Sequence, residues 1–300
     1  TKAREHIRSK GLYGSVSVEI FDGKHLPYAD NMVNLLVAEE LGGVTMAEVT
    51  RVLAPKGVAW VGGKKTVKPR PKEIDEWTHF LHDASNNAVA QDTRVGPPRR
   101  LKWVCGPLWS RSHEFTASMP AMVSGGGRVF YVIDEGLTGV TPASLPDRWV
   151  LIGRDAFNGV LLWKRPLPKW RGAEWKSRVM RARPGSVPRR IVADGPRLWA
   201  TLSHSGPLVE IDAATGKTLR TIAGTDGAQE IALSGRTLVL RLAASGSIAA
   251  GGPDTGTVRW NVSAPQVVAR PPGVADRRVV VTTRASAART PAAGPRLHWP

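Results

Sequence analysis

Cysteine is nearly absent from this chain: Cys105 is the single one in 300 residues. That excludes an intrachain disulfide and any metal site built on several thiolates, and a lone thiol of this kind reads as a small buried hydrophobe. Acidic residues are scarce beside basic ones, 25 against 42, so the formal charge is +17. Such an excess suits nucleic acid or an anionic surface. The basic residues are scattered, however, at Lys64, Lys65, Lys68, Arg70 and Lys72, then Arg94, Arg99 and Arg100, then along 178–190. Neither zinc-finger spacing nor a recognition-helix pattern goes with them, so specific nucleic-acid binding is not expected. No apolar run approaches the ~20 residues needed to span a bilayer. The first residues show no signal-peptide pattern, but Thr1 is not a start residue, so this says little about compartment.

Glycine and proline, by contrast, are plentiful at 31 and 23, as many short strands and turns require. A turn-and-tryptophan phrase recurs: DAFNGVLLW over 155–163, DAATGKTLR over 212–220 and GPDTGTVRW over 252–260. Each has a polar turn closing on Gly, then a short apolar strand, with Trp163, Arg220 or Trp260 four residues after the Gly. Asn158-Gly159 and Thr215-Gly216 suit hairpin turns that need positive φ. Asp155 and Asp212 can accept from backbone amides across those turns. A period of roughly 40–55 residues with this content belongs to radial β-repeats. The Trp then wedges between neighbouring blades rather than stacking on a ligand. Further strands are predicted at 128–133, 149–152, 197–202, 207–211, 236–242 and 277–283, mostly after Gly or Asp turn signals. From about residue 100 there is room for four or five blades at roughly 40–50 residues each. The last stretch, from Ala264, is rich in Arg and Ala, and after Thr283 the blade pattern stops; residues 284–300 are expected to be irregular.

Residues 1–63 read differently, as alternating helix and strand. A helix is predicted over 3–10, a strand over 16–21 and a buried parallel strand over 32–38. A helix follows, capped by Thr45 with Glu48 completing a capping box. Pro55-Lys56-Gly57 should break that helix before a strand over 58–61. This order is that of doubly wound α/β folds.

The segments FDGKHLPYADNMVNLLVAEE, 21–40, and EVTRVLAPKGVAWV, 48–61, resemble the second half of Rossmann-like SAM-dependent methyltransferases. That resemblance implies an adenine-side role for Asp22, Gly23 and Leu26, and SAM as the cofactor of a longer protein. The family's glycine-rich loop and ribose-binding acid are missing here, and Asn34 stands where the family usually has Asp. Residues 73–104 and 110–136, together with the Asp155–Trp163 signature, are similar to a bacterial group familiar from planctomycetes. Its members join a methyltransferase-like region to a PQQ-like, quinoprotein-type β-propeller. The fold class so implied is mainly β: a partial propeller over 101–283, preceded by an incomplete Rossmann-like segment over 1–63, a linker over 64–100 and a tail over 284–300. The chain is expected to be a fragment at both ends.

The resemblance also bears on chemistry. Quinoprotein alcohol dehydrogenases pair adjacent cysteines over the quinone, with Asp as base and calcium bound by Glu and Asn; a single Cys105 excludes that pair and no Asp–Glu–Asn set is assignable by spacing, so PQQ itself is not expected. The same repeat occurs in quinone-free propellers such as the lipoprotein of the outer-membrane barrel-assembly machinery. A metal set is conceivable at His79 and His82, three apart on one face of a helix, joined by His113 and Glu114. The alternative is a helix packing Trp77 and Phe80, with its His at the edge. Asp83, Asn86 and Asn87 lack the closing Glu of a calcium loop. His6, His25, His204 and His298 stand alone. No catalytic residue is assignable. The leading expectation is a propeller acting as a binding or scaffold module for an unknown protein or small molecule. The alternatives are a SAM-dependent methyltransferase, active only with upstream sequence and then cytoplasmic, and a quinone-dependent dehydrogenase.

Overall fold

The computed structural model describes residues 1–94, 96–97, 101–107, 119–138, 146–170, 187–242 and 248–252, and the backbone alone at 247, 258–263, 273–275, 278–280 and 297–298. The chain divides into two compact units, 1–72 and 73–300.

In the first unit, α1 (Lys2–Ser9) starts at Thr1, whose hydroxyl accepts from the Arg4 amide. Strand β1 (Val33–Ala38) runs parallel to β2 (Leu53–Val61), and α2 (Met46–Val52) lies between them in sequence. Parallel neighbours need such a crossover. Thr45 caps α2 by accepting from the Glu48 amide at 3.2 Å. The reciprocal half of the expected capping box is redirected: the Glu48 carboxylate takes the Leu26 amide and Arg51 instead. The helix ends at Val52, ahead of the expected break at Pro55-Lys56-Gly57; those three residues lie inside β2 and bulge it, the register moving from Val33–Leu53 to Leu35–Val58 while Lys56 takes φ +67°. Gly57 allows this because a Cβ there would lie 2.7 and 2.8 Å from the carbonyl oxygens of Ala54 and Val33.

Two expectations for this region are corrected. Residues 16–21 form no strand, although they alternate; Ile20 is 84% exposed, and among the described residues no ladder joins them beyond a single bridge from Tyr13 to Val16. A strand pattern without a neighbour to take its amides has no ladder to join. The start of the expected linker is instead β3 (Lys64–Val67), antiparallel to β2, and residues 73 onward belong to the second unit. Of a doubly wound sheet, the described residues hold one parallel pair with one connecting helix. Leu26, Val33 and Leu36 pack with Val44, Val49, Leu53 and Ala59 on one sheet face. Leu35, Val37 and Trp60 are exposed.

The second unit is built of antiparallel meanders. The first sheet runs β4 (Ala121–Gly125), β5 (Arg128–Asp134), β6 (Trp149–Asp155), β7 (Leu161–Pro166). The second runs β8 (Ile191–Asp194), β9 (Arg197–Thr201), β10 (Leu208–Asp212), β11 (Thr218–Thr221). The third runs β12 (Ala228–Ser234), β13 (Thr237–Leu242), β14 (Ser247–Gly251), β15 (Val258–Ser263). Three short strands follow, β16 (Gly273–Ala275), β17 (Arg278–Val280) and β18 (Leu297–His298), paired in that order. The rest of the expected irregular tail lies outside the described residues. First strands adjoin: β4 meets β8, and β8 meets β12. Mainly β, with four-stranded meanders whose first strands neighbour one another, the unit is consistent with part of a β-propeller.

The recurring phrase works as a hairpin and a dock. Asp155 accepts from the amides of Phe157 and Asn158, and Asp212 from those of Ala214 and Thr215. Gly159 and Gly216 close the turns at φ +74° and +72°. Trp163 then crosses to the second sheet: its Nε1–H donates to Ala213 O at 3.0 Å, and a Cβ on Gly216 would lie 2.6 Å from its ring. Trp103 makes the same contact one step earlier, donating to Ala156 O at 3.1 Å with its ring over Gly159. Each indole thus seats on the glycine three residues beyond the carbonyl it bonds. Phe130 stacks on Trp163, and Leu151, Leu198 and Ile211 complete the seam between the first two sheets. The turn of the third phrase lies outside the described residues. Among the described residues no helix is long and apolar enough to cross a membrane.

Candidate functional site

A group of buried titratable side chains lies where β4, β8 and β12 come together, and a strap of four residues organises it. Trp77, Thr78 and His79, consecutive in the chain, each hold the amide of the penultimate residue of one of those strands. Ser124 N–H donates to Trp77 O at 2.7 Å, Ala193 N–H to Thr78 O at 3.0 Å, and Leu233 N–H to His79 Nε2 at 2.9 Å. Glu76 adds the Gly126 amide at 2.8 Å, and the Trp77 amide donates to Ser124 Oγ at 2.9 Å. The strap therefore satisfies the inner edges of three successive sheets, which would otherwise hold costly unpaired groups.

The bonds define the protonation of His79. Its Nε2 accepts from a backbone amide, so the neutral ring carries its proton on Nδ1, 2.7 Å from Thr78 Oγ1. The Thr78 hydroxyl donates onward to His82 O at 3.2 Å. Burial pushes the His79 pKa down to about 4, because the charged ring is disfavoured away from water. His82 is buried beside it, with Nε2 at 2.7 Å from Asp75 Oδ2 and Nδ1 at 3.5 Å from Asp83 Oδ2. Burial pushes the Asp75 carboxyl up, but bonds from the Gln91 amide, His82 and the Glu76 amide outweigh it and hold it below its ordinary value. Beyond the strap, Glu230 is buried between Arg189 at 3.2 Å and Arg241 at 3.4 Å. Burial raises its pKa against the pull of both cations. Arg189 also covers the Phe80 ring. Arg190, largely buried, donates to His204 O, and burial brings its pKa down to about 10.

The residues named from sequence fall as follows. Residues 77–83 are not helical: the His79 amide donates to His82 O, Trp77 Nε1–H donates to Phe80 O, and His82 takes φ +72°. The two histidines lie side by side, but both ring nitrogens of each face protein partners. His113 and Glu114 lie outside the described residues, and among the described residues no three His, Cys, Asp or Glu side chains converge as for a metal ion. Cys105 is partly exposed rather than buried, 3.9 Å from the Tyr131 hydroxyl. In the first unit, Asp22 accepts from the Lys24 and His25 amides and faces His25 Nδ1 at 2.7 Å. The His25 amide is the largest cause holding its carboxyl at about 2. Leu26 packs into the core and its amide is bonded to Glu48; Gly23 supplies φ +77° to the turn. Asp22 and the Leu26 amide thus bond within their own unit.

Comparison with known protein families finds no match, and neither does comparison with curated proteins. Among solved structures, the chain is similar to a europium-containing methanol dehydrogenase (14% identity, 64% of this chain and 32% of that one, TM-score 0.41). It is also similar to BamB from Moraxella catarrhalis (19%, 57% and 51%, TM-score 0.35) and to the computationally designed protein Ika8 (15%, 56% and 43%, TM-score 0.37). The match spans less than two thirds of each of these chains, and at such scores the likeness carries nothing about activity.

Sequence reasoning missed the strap, the Glu230 pair of arginines and the docking of Trp103. Only the last had a legible signal, a Trp ahead of the first phrase beside the apolar residues Leu101 and Val104.

Proposed function

We propose that the second unit is a non-catalytic scaffold of the PQQ-like β-propeller type, presenting its surface and seams to a partner or small ligand. One observation carries this reading: the junction of the inner strands is filled by the chain's own strap. His79 and His82 spend both ring nitrogens on protein partners there, so neither stands ready as a base or ligand. The adjacent cysteine pair of quinoprotein alcohol dehydrogenases cannot form either, since Cys105 is the only cysteine in the chain.

The test is a titration of the full chain with pyrroloquinoline quinone and calcium, following tryptophan fluorescence, thermal melting and dye reduction with short alcohols. The expected result is no saturable quenching, no rise in melting temperature and no dye reduction. Stoichiometric quinone binding with alcohol-dependent dye reduction would replace the scaffold reading with a dehydrogenase.

A further inference from the structure

Two tryptophans close the seams at Gly159 and Gly216, and the equivalent residue of the second sheet is Arg220. It stands four residues after Gly216, as Trp163 stands four after Gly159. Arg220 instead turns back into its own sheet, where its Nε–H donates to Glu210 Oε2 at 2.7 Å. The seam between the second and third sheets keeps a groove of about 490 Å³, within the ~300–1,000 Å³ range of small-molecule sites.

The lining of this groove is chemically specific. Arg197, Arg220 and Arg236 face it with Asp194 and Glu210, so among the described residues its lining holds three guanidiniums against two carboxylates, a formal +1. Glu210 is buried and already committed, with Arg197 Nη1 at 3.2 Å from one oxygen and Arg220 on the other. The Glu210 contact occupies one end of Arg197, whose side chain is 46% exposed and has five N–H donors in all. Apolar surface comes from Trp199, Leu219 and Leu233. The buried Trp199 indole N–H has no acceptor among the described residues.

We infer that the groove between the second and third sheets binds a small organic monoanion: a carboxylate on Arg197 and Arg220, with an apolar body against Trp199 and Leu219. A carboxylate matches the planar fork of a guanidinium, and a ligand with an apolar body supplies the surface that a tryptophan supplies in the other seams. This site is separate from the strap and does not depend on how the strap is read.

Benzoate is the probe, with benzamide as its neutral counterpart and inorganic phosphate as an anion without an apolar body. Binding to the full chain is followed by calorimetry and by saturation-transfer NMR. Benzoate is expected to saturate with Kd on the order of 1 mM or tighter. Benzamide and phosphate are expected to bind at least about tenfold more weakly, the factor a charge-assisted hydrogen bond carries. Arg197→Gln should weaken benzoate by a similar factor, and Arg220→Trp, which restores the seam residue, should remove binding. Melting curves confirm folding of each variant, and Arg197→Gln alone carries the test if Arg220→Trp fails to fold. No benzoate binding, equal binding of benzamide or phosphate, or undiminished binding by folded Arg197→Gln would each overturn the assignment.

Discussion

Replacing His79 by Gln should flatten the pH dependence of stability on the acid side, and the size of the change follows from the strap geometry. In the folded chain His79 stays neutral down to a pKa of about 4, whereas its ordinary value is 6.5. Above pH 6.5 both states hold a neutral ring and its titration contributes nothing to the pH dependence. Below that value the unfolded ring takes up a proton that the folded ring refuses, so the folded state loses stability steadily as pH falls toward 4. Each pKa unit is worth ~1.4 kcal/mol, so the whole window carries about 3 kcal/mol and the part down to about pH 5 carries about 2 kcal/mol.

A glutamine in place of His79 can still offer an oxygen to the Leu233 amide and does not titrate, so it keeps the bond and removes the proton uptake. His79→Phe removes the bond as well, and should cost ~1–3 kcal/mol for the stranded amide, independently of pH. The assay is urea unfolding by tryptophan fluorescence at about pH 7.5 and about pH 5, with exchange of the Leu233 amide as the local readout. Groups away from the strap titrate alike in wild type and variant, and Asp83 is the acid whose charge interacts with His79, so the difference of differences reports on His79 together with that neighbour. Equal acid-side slopes in wild type and His79→Gln would refute both the neutral ring and its bond to β12.

Further expectations concern the seams and the strap. Trp163→Ala should cost ~3–5 kcal/mol by urea unfolding, since it empties a packed position between two sheets; Trp163→Phe should cost less, because it mainly strands the Ala213 carbonyl. Gly216→Ala and Gly224→Ala both place Ala at positive φ, +72° and +74°, costing ~1–2 kcal/mol each. Only at Gly216 does the new Cβ meet the Trp163 ring, at 2.6 Å, so that variant should lose a further ~1–3 kcal/mol; equal melting temperatures would show that the indole is not seated there. Thr78→Val keeps the shape of the strap but breaks the relay from His79 Nδ1 to His82 O, and should lower stability by ~1–3 kcal/mol; an unchanged urea midpoint would count against the relay.

The strands of the second unit are legible in the sequence because each follows a local signal. Gly and Asp turns stand next to apolar runs at 128, 197 and 236, and those runs pair with their neighbours in the order of the chain. Trp163 is legible as a wedge because its distance from Gly159 recurs in the third phrase. What escapes is non-local. The strap joins three neighbouring residues to amides up to 154 positions away, and no spacing within 76–79 encodes that. The same segment also misleads: His79 and His82 sit at a helical interval, yet a positive φ at His82 and a bridge between the two make a tight loop. Residues 16–21 mislead in the opposite way, since alternation specifies a strand only when a neighbour takes its amides. At the first unit's candidate residues, the turn at Asp22-Gly23 can be read from the residue types, but not that its carboxylate is consumed by the Lys24 and His25 amides.

The strap and the seams divide the work of this unit by chemistry. At the strap the ring nitrogens of His79 and His82 are held by a backbone amide, the Thr78 hydroxyl and the Asp75 and Asp83 carboxylates, and recruiting His79 Nε2 for proton transfer would first break the bond that ties β12 to the strap. Keeping the structure there works against reactivity. The seam between the first two sheets is capped by one residue, Trp163, seated on the next turn, and exchanging the residue at that position changes what a seam can hold without disturbing the hairpin before it, because Asp212 and Gly216 form their turn whether Trp or Arg follows. Arg220 is such an exchange: it bonds Glu210 within its own sheet and leaves the boundary with the next sheet to a charged groove. Function in a repeated fold of this kind is therefore most readily placed where one copy departs from the others, and here that departure falls at Arg220.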